Sequence, residues 1–507
     1  MNLTVFKKKI SFKNYSLEYQ PNLKKLNKEK RKFLKEFSSI YGYDGKINQI
    51  REKEYPQLKS CAYLDHTGST TFAKSSLTEF VNDITNNLYG NPHSNSPSSQ
   101  ASTERIKKVR TKILEHFDAN ERDYAIIFTQ NATASIKLVG EIFPWTNKSS
   151  YRYLRESHSS INGLRRFPEQ LNAVIEAVTE YDVDSMINEN TSIDFLDMDE
   201  EEITYNLFAY PAQCNFSGMK FPLSWTSGIK KFDTEYSKTL VLLDAAAYVP
   251  TSSLSLANKE TSPDFVVLSF YKMFGFPTGL GALILKTELN QILRKAYFGG
   301  GTLKASVYDR QWQQFRDDLT ERYEDGTVNF LNIIALDYAF DSMERLYKNY
   351  EYISNHVTSL ITYLSRTMKS FCHYNGQAVC IVNSDRDFSD NKQQGATFSF
   401  NLKRSDGKLV GYLEVEKLAS VNGIHIRSGG NCNPGSVSKW MGITSDEFMQ
   451  NYMCGKVCDD NQDIFHGKSY GAVRLSIGAM TTIEDILIWL DFFERNYVET
   501  SPDTNFL

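Results

Sequence analysis

The chain has 507 residues, a formal net charge of −4, 41% hydrophobic and 23% charged residues, and a mean hydropathy of −0.42. This is the composition of an ordinary soluble globular protein with room for about two to four domains, and it excludes collagen, bulk disorder and a protein that coats nucleic acid. No run of about 18 apolar residues is present to form a membrane helix, and the N-terminus has neither the apolar core of a signal peptide nor the arginines of a transit peptide, so a cytoplasmic location is expected. The seven cysteines are odd in number and widely spread, which fits a reducing compartment and leaves each thiol free to be core filler, ligand or nucleophile.

Residues 1–35 hold eleven Lys/Arg against Glu18 and Glu29. They read as the solvated helix face of a basic extension, spanning 1–60 and packing on the smaller domain. From residue 61 short β-branched or apolar runs alternate with amphipathic stretches. The runs 124–129, 239–244, 265–270 and 281–286 read as buried strands, and 101–117 and 132–142 as helices. This alternation predicts an α/β domain over 61–335 with a mostly parallel central sheet and flanking helices, whose ligands sit beyond the carboxyl ends of the strands. After residue 335 one helical stretch (333–364), a strand (396–402), a helix (415–420) and a closing helix (482–495), with Thr482 and Asp485 at its start, predict a smaller α+β domain over 336–507. No repeat or Pro-rich linker separates the two, so they are expected to pack together.

Three strand ends carry groups with chemistry to offer. The run 265–270 leads directly into Tyr271 and Lys272 and then a glycine-rich turn. Desolvation there lowers the pKa of the amine and makes it nucleophilic, as a Schiff-base lysine requires, although a lysine that simply snorkels to solvent has the same surroundings. The run 239–244 ends at Asp244, followed by three alanines that leave room for a planar ligand whose protonated pyridine nitrogen the carboxylate can hold; alone it reads equally as a loop cap. A strand-end Asp followed 28 residues later by a strand-end Lys is harder to attribute to chance. The third end, Thr129 to Thr133, opens a helix whose free N–H groups and hydroxyls suit a phosphate or a plain N-cap. No Walker loop or G-x-G-x-x-G occurs. Cys432 lies in RSGGNCNPG (427–435), where flanking glycines and proline predict a mobile surface loop, the place for a thiol that must travel. Cys454, Cys458 and His466 lack a second Cys pair, so no metal is expected and the two cysteines read as structural.

Several long phrases occur together: YLDHTGST (63–70), NNLYGNPHSNSPSS (86–99), LFAYPAQCNFSG (207–218), VLLDAAAYVP (241–250), SFYKMFGFPTGLGAL (269–283), RSGGNCNPG (427–435) and CGKVCDDNQDIFHGKSYGAVRLSIG (454–478). Together they resemble the cysteine desulfurase branch of the fold-type I, pyridoxal-phosphate-dependent class V aminotransferases, and within it the desulfurase domain of eukaryotic molybdenum cofactor sulfurases. The resemblance covers residues 60–495. It implies that Lys272 carries the cofactor, Asp244 keeps its ring nitrogen protonated and His158 stacks on the ring. It also implies that Thr133, Ala132 and Ser269 contact the phosphate, Asn215 the ring hydroxyl and Arg474 the substrate carboxylate. Thr327 is implied to reach the partner subunit's cofactor phosphate, and hence a homodimer. Read without the family, His158 is an ordinary surface or core histidine.

The implied reaction removes sulfur from L-cysteine, leaving a persulfide on Cys432 and alanine. Ala247 and Tyr271 stand where many desulfurases have Gln and His, departures compatible with the molybdenum cofactor branch. The sulfurases continue into a C-terminal domain that holds the molybdenum cofactor, whereas this sequence ends at Leu507, which implies a separate acceptor protein or another destination for the sulfur. Two alternatives stay open: a pyridoxal-phosphate-dependent C–S lyase with Cys432 dispensable, and a non-catalytic scaffold of the same fold.

Overall fold

The longest apolar runs of the sequence become the central strands of a seven-stranded sheet. In the computed structural model, which describes residues 22–189, 202–458 and 460–502, these strands are β1 (Tyr124–Thr129), β2 (Ser150–Leu154), β3 (Val174–Val178), β4 (Thr204–Pro211), β5 (Ser237–Asp244), β6 (Phe265–Ser269) and β7 (Gly281–Lys286). Their order is β1-β7-β6-β5-β4-β2-β3. Pairings from β6 through β3 are parallel, and β7 runs antiparallel to both its neighbours. This is the expected α/β class with a mostly parallel sheet. Helices cover both faces, which is why β5 and β6 read as unbroken apolar runs: Val241, Leu243, Val266 and Leu268 enter one core, and Leu240, Leu242, Phe265 and Val267 enter the other. Strands β2, β3 and β4 were not anticipated from sequence. β3 is an edge strand with exposed residues, and β4 ends in a proline, so neither has the uniform apolar texture of the centre.

The smaller sheet is antiparallel and is built from β8 (Cys380–Val382), β9 (Thr397–Lys403), β10 (Leu409–Val410), β11 (Arg427–Gly429) and β12 (Ala472–Ser476), in the order β8-β9-β12-β11 with β10 beside β9. The helix Ile483–Tyr497 closes it, started by the reciprocal Thr482/Asp485 capping box. The stretch 333–364 is not one helix. Phe330–Tyr347 ends at Lys348, whose φ of 65° breaks the helix, and Asn349 caps a new one, Tyr350–Ser370, by accepting the Tyr352 N–H. Apolar periodicity runs through this break because both helices bury their faces in adjoining cores, so periodicity could not reveal it.

Within the basic segment, residues 1–21 lie outside the described part. The helix Leu23–Phe37 buries Phe33 and Phe37 in the same core as Trp489 and Phe493 of the closing helix. Lys25 and Lys30 pair with Glu494 and Glu484 of that helix. Among the described residues no helix is long and apolar enough to cross a membrane.

Two buried histidines fasten these layers. His356, fully buried, accepts the Gly42 N–H at Nδ1 and donates from Nε2 to the Thr481 carbonyl, and burial pushes its pKa down to about 3. His66 is held beside Thr70 and Thr481 and is lowered to about 3, first by burial and then by Arg51. As pH falls from about 6.5 the unfolded chain binds these protons and the folded chain does not, so stability declines by about 1.4 kcal/mol per pH unit per histidine until about pH 3. The denaturation midpoint of the protein is therefore expected to be clearly lower at pH 5 than at pH 7. An unchanged midpoint contradicts the neutral burial of these rings.

Candidate active site

The carboxyl ends of β1, β2, β4, β5 and β6 open onto one cleft. Asp244 closes β5 with only 7% of its surface exposed, and its Oδ1 accepts the Ala246 N–H at 3.0 Å, turning the chain so that Ala246 and Ala247 line the cleft without filling it. β6 ends at Ser269, and the single helical turn Phe270–Phe274 carries Lys272 into the same space. Burial lowers the Lys272 pKa, with Asp244 pulling it back up and Arg474 and Arg427 lowering it further. An amine so placed gives up its proton more readily than a surface lysine.

After β1 the helix Ala132–Ile142 begins at the cleft wall. Asn131 caps it by accepting the Ala134 N–H, and Ser269 Oγ accepts the Ala132 N–H at 2.8 Å. No group among the described residues takes the Thr133 N–H, while the Thr133 hydroxyl meets Ser160 Oγ at 2.7 Å. This close seating of the helix on the sheet requires Gly281 in β7, where an added Cβ would lie 2.6 Å from Asn131 Cα. His158 follows β2. Its Nδ1 accepts the Ser160 N–H at 3.1 Å, so the neutral ring carries its proton on Nε2, and burial lowers its pKa.

The cleft thus gathers Lys272, Asp244, His158, Asn215, Thr133, Ala132 and Ser269 in its lining. Tyr271 and Asn131, from the two strand ends read in the sequence, join them, as do Gln213 and Ser160, which were missed, since a Gln or Ser beside a recognised residue carries no signal of its own. The set fits pyridoxal phosphate: an amine for the aldehyde, a carboxylate for the ring nitrogen, and an open N–H with two hydroxyls at a helix start for the phosphate. Gln213 Oε1, buried at the cleft wall and without a partner among the described residues, is a further acceptor left for a bound molecule.

Arg474 and Cys432 stand behind this lining. Arg474, on β12, is 2% exposed; its Nη2 donates to Asp65 Oδ1 at 2.9 Å and its Nη1 to the Asn215 carbonyl at 2.8 Å, and Nε is buried without a partner among the described residues. Arg427, opposite it on β11, binds the same Asp65 carboxylate through Nε and Nη2. Two guanidinium groups share one carboxylate, so the cluster retains a positive charge suited to a second carboxylate. Asp65 was not singled out from sequence, because its partners lie more than 350 residues away.

The Cys432 loop is shorter than its composition suggested. Residues 427–429 are β11 and a helix, Pro434–Met441, begins two residues after the cysteine. Cys432 is exposed, and its carbonyl accepts both the Ser159 N–H (2.7 Å) and the Ser159 hydroxyl (2.9 Å), one residue from His158. Asn431 and Cys432 have φ of 50° and 51°, the left-handed region, which costs a cysteine about 1–2 kcal/mol. The following helix lies against the Arg155 carbonyl at Gly435, where a Cβ would come within 1.9 Å. Gly435→Ala is expected to lift this helix, lower stability by about 1–3 kcal/mol, and raise the alkylation rate of Cys432. Unchanged stability and reactivity contradict that close approach.

Thr327 is not brought to the cleft. It is exposed and bonded through Oγ1 to Asn91 Nδ2 at 3.3 Å. Cys454, Cys458 and His466 are exposed and form no group of metal ligands among the described residues.

Comparison with known proteins agrees with this geometry. The chain is 40% identical to the molybdenum cofactor sulfurase of Oryza sativa subsp. japonica, over 94% of this chain and 61% of that protein. It is 39% identical to the molybdenum cofactor sulfurase of Homo sapiens, over 91% of this chain and 53% of that one. It therefore spans little more than half the length of these relatives. Among solved structures the fold is similar to the apo cysteine desulfurase of Thermococcus onnurineus NA1, with a TM-score of 0.69, 18% identity and coverage of 88% of this chain and 97% of that chain. It is also similar to the cystine C–S lyase C-DES, with a TM-score of 0.63, 13% identity and coverage of 86% and 99%. Residues 62–488 match the class-V aminotransferase family, and with the strand-end lysine, aspartate and helix start converging on one cleft, the chain belongs to that family.

Proposed function

We propose that the protein is a pyridoxal-phosphate-dependent L-cysteine desulfurase that collects the substrate sulfur on Cys432, releases alanine and delivers the sulfur to molybdenum cofactor, held by an acceptor. The observation that carries this reading is the anchoring of the Cys432 carbonyl on Ser159, next to His158 in the lining of the cleft that holds Lys272 and Asp244. The names of the 39–40% identical relatives support the acceptor.

Each residue has a separate task. The Asp244 carboxylate would hold the ring nitrogen of the cofactor in its protonated form. Arg474 and Arg427, sharing Asp65, receive the substrate carboxylate. Lys272 Nζ, whose pKa burial lowers, takes the substrate α-proton and returns it. Pyridoxal phosphate, when bound, would supply an electron-withdrawing ring that stabilises negative charge at the substrate α-carbon. The Cys432 thiolate attacks the substrate sulfur; the new S–S bond forms as the C–S bond breaks, the electron pair of that bond passes to the carbon, and protonation there yields alanine.

A second copy of the chain brings Thr327 to the cleft in this reading. Its exposure outside the cleft supports that, as do the exposed Tyr297, Phe298, Tyr308 and Trp312 in the same part of the sequence. All seven cysteines are free thiols, which supports a reducing compartment such as the cytoplasm.

The test is to incubate the pyridoxal-phosphate-loaded protein with L-cysteine, measure alanine, pyruvate and sulfide, and look by intact mass for one added sulfur on Cys432. Alanine together with the persulfide supports the reading. Pyruvate without persulfide overturns it in favour of a C–S lyase, the activity named for a structural neighbour. A protein that stays colourless with the cofactor is a scaffold.

A further inference from the structure

The residue after the sulfur-accepting cysteine is buried and polar, and the reaction just described does not use it. Asn433 is 1% exposed. Its Oδ1 accepts the Ser436 N–H at 2.9 Å as N-cap of the helix Pro434–Met441. A backbone N–H can only donate, so the atom facing Ser436 is the oxygen and the other end of the amide is Nδ2. That Nδ2 lies 3.0 Å from the Glu156 carbonyl, which can only accept, so both ends of the amide are fixed by backbone groups. Nδ2 also lies 2.9 Å from the Asn215 side chain, whose facing atom must therefore be an acceptor, Oδ1. The other end of Asn215 is locked independently: its Nδ2 donates to the Asn431 carbonyl at 2.7 Å.

The consequence is a defined polarity in the cleft. Asn215 lines it, and of the two hydrogens on its Nδ2 one is taken by Asn431. The second has no partner among the described residues, while the carbonyl end accepts from Asn433 Nδ2. A free asparagine amide would present either end, because the two are nearly equal in shape. Both anchors of Asn215 come from the residues that flank Cys432.

We infer that Asn433 is a positioning residue that fixes the Asn215 amide with its N–H toward the cleft, so that an anionic oxygen of the bound cofactor or amino acid meets a donor only while the Cys432 loop is seated. The inference rests on the proposed cofactor site. It adds that the loop carrying the sulfur acceptor and the donor in the cleft are set by one chain of amides, from the Ser436 N–H through Asn433 and Asn215 to Asn431.

Asn433→Asp tests it. A carboxylate still accepts the Ser436 N–H, so the helix cap is kept, but it cannot donate to Asn215. Asn215 is then expected to turn its N–H toward the introduced carboxylate and its oxygen toward the cleft. The readout is the pH titration of the visible absorbance of the complex with pyridoxal phosphate, together with the affinity for pyridoxal phosphate. The other titratable groups around the cleft and the loop, Lys272, Asp244, His158, Arg474, Arg427, Asp65 and Glu156, are untouched. With a repelling oxygen in place of a donor, the anionic form is disfavoured; the titration midpoint is expected to move up by about one pH unit and affinity to fall about tenfold. Asn433→Ser, which keeps a capping oxygen, adds no charge and removes the donor, should move both in the same direction by less. In an Asn215→Ala background the Asn433→Asp change should have no further effect, because Asn433 acts through Asn215.

A wild-type protein that binds no pyridoxal phosphate overturns the cofactor site itself. A wild type that binds and titrates, with Asn433→Asp and Asn433→Ser matching it in midpoint and affinity, overturns the role of Asn433 alone. A full Asn433→Asp shift in the Asn215→Ala background also overturns it, since the effect then does not pass through Asn215.

Discussion

Lys272→Ala is expected to reduce alanine formation from L-cysteine by about 10³-fold or more, since proton transfer by a positioned group is worth about 10²–10⁴ and covalent capture of the cofactor is lost as well. The fold should survive the change. The side chain occupies a five-residue helical turn at the end of β6, whose cores are formed by Phe265, Val266, Val267 and Leu268 rather than by the amine. Burial lowers the Lys272 pKa, so the folded protein gains nothing from its charge, and removing it should leave the denaturation midpoint unchanged or higher. Borohydride reduction supplies the covalent readout: the wild type retains pyridoxal phosphate on Lys272, and the variant does not. A variant that still makes alanine at the wild-type rate removes Lys272 from the reaction.

Cys432→Ser separates the two halves of the chemistry. Pyridoxal phosphate binding should be unchanged, because Cys432 does not line the cleft. Persulfide formation and sulfur delivery should fall to the level seen without enzyme, because a serine hydroxyl cannot carry the sulfur. Cys432→Gly makes the point about strain. The left-handed φ of 51° is free for glycine, so this variant should be inactive yet about 1–2 kcal/mol more stable at most, a sign that the backbone there is held for the thiol and not for stability. Wild-type turnover in either variant would favour the lyase reading, in which no protein thiol is needed.

Residues 269–283 and 241–250 made the strand-end lysine and aspartate legible, although each taken alone also reads as a snorkelling side chain or a loop cap. Lysine and aspartate at the ends of fully apolar runs are local facts, and the alternation of such runs with amphipathic helices is enough to imply a parallel sheet with ligands at its carboxyl edge. The capping pair Thr482 and Asp485 was equally legible, because its partners sit three residues apart. The helix break at Lys348 was not, since one apolar rhythm serves two helices whose cores adjoin.

The site's outer parts depended on distances that no local pattern encodes. Asp65 meets Arg427 and Arg474 across 362 and 409 residues, and Asn433 meets Asn215 across 218. Composition around Cys432 pointed to a loose loop, yet burial of Asn433, the bonds from Ser159 and the close approach at Gly435 seat it against the larger sheet. Residue types and short-range periodicity thus specified which groups are present, at which strand ends, and with what intrinsic chemistry. Folding specified which carboxylate the two arginines share and which way the Asn215 amide points, because those are properties of pairs brought together by burial and not of any one segment.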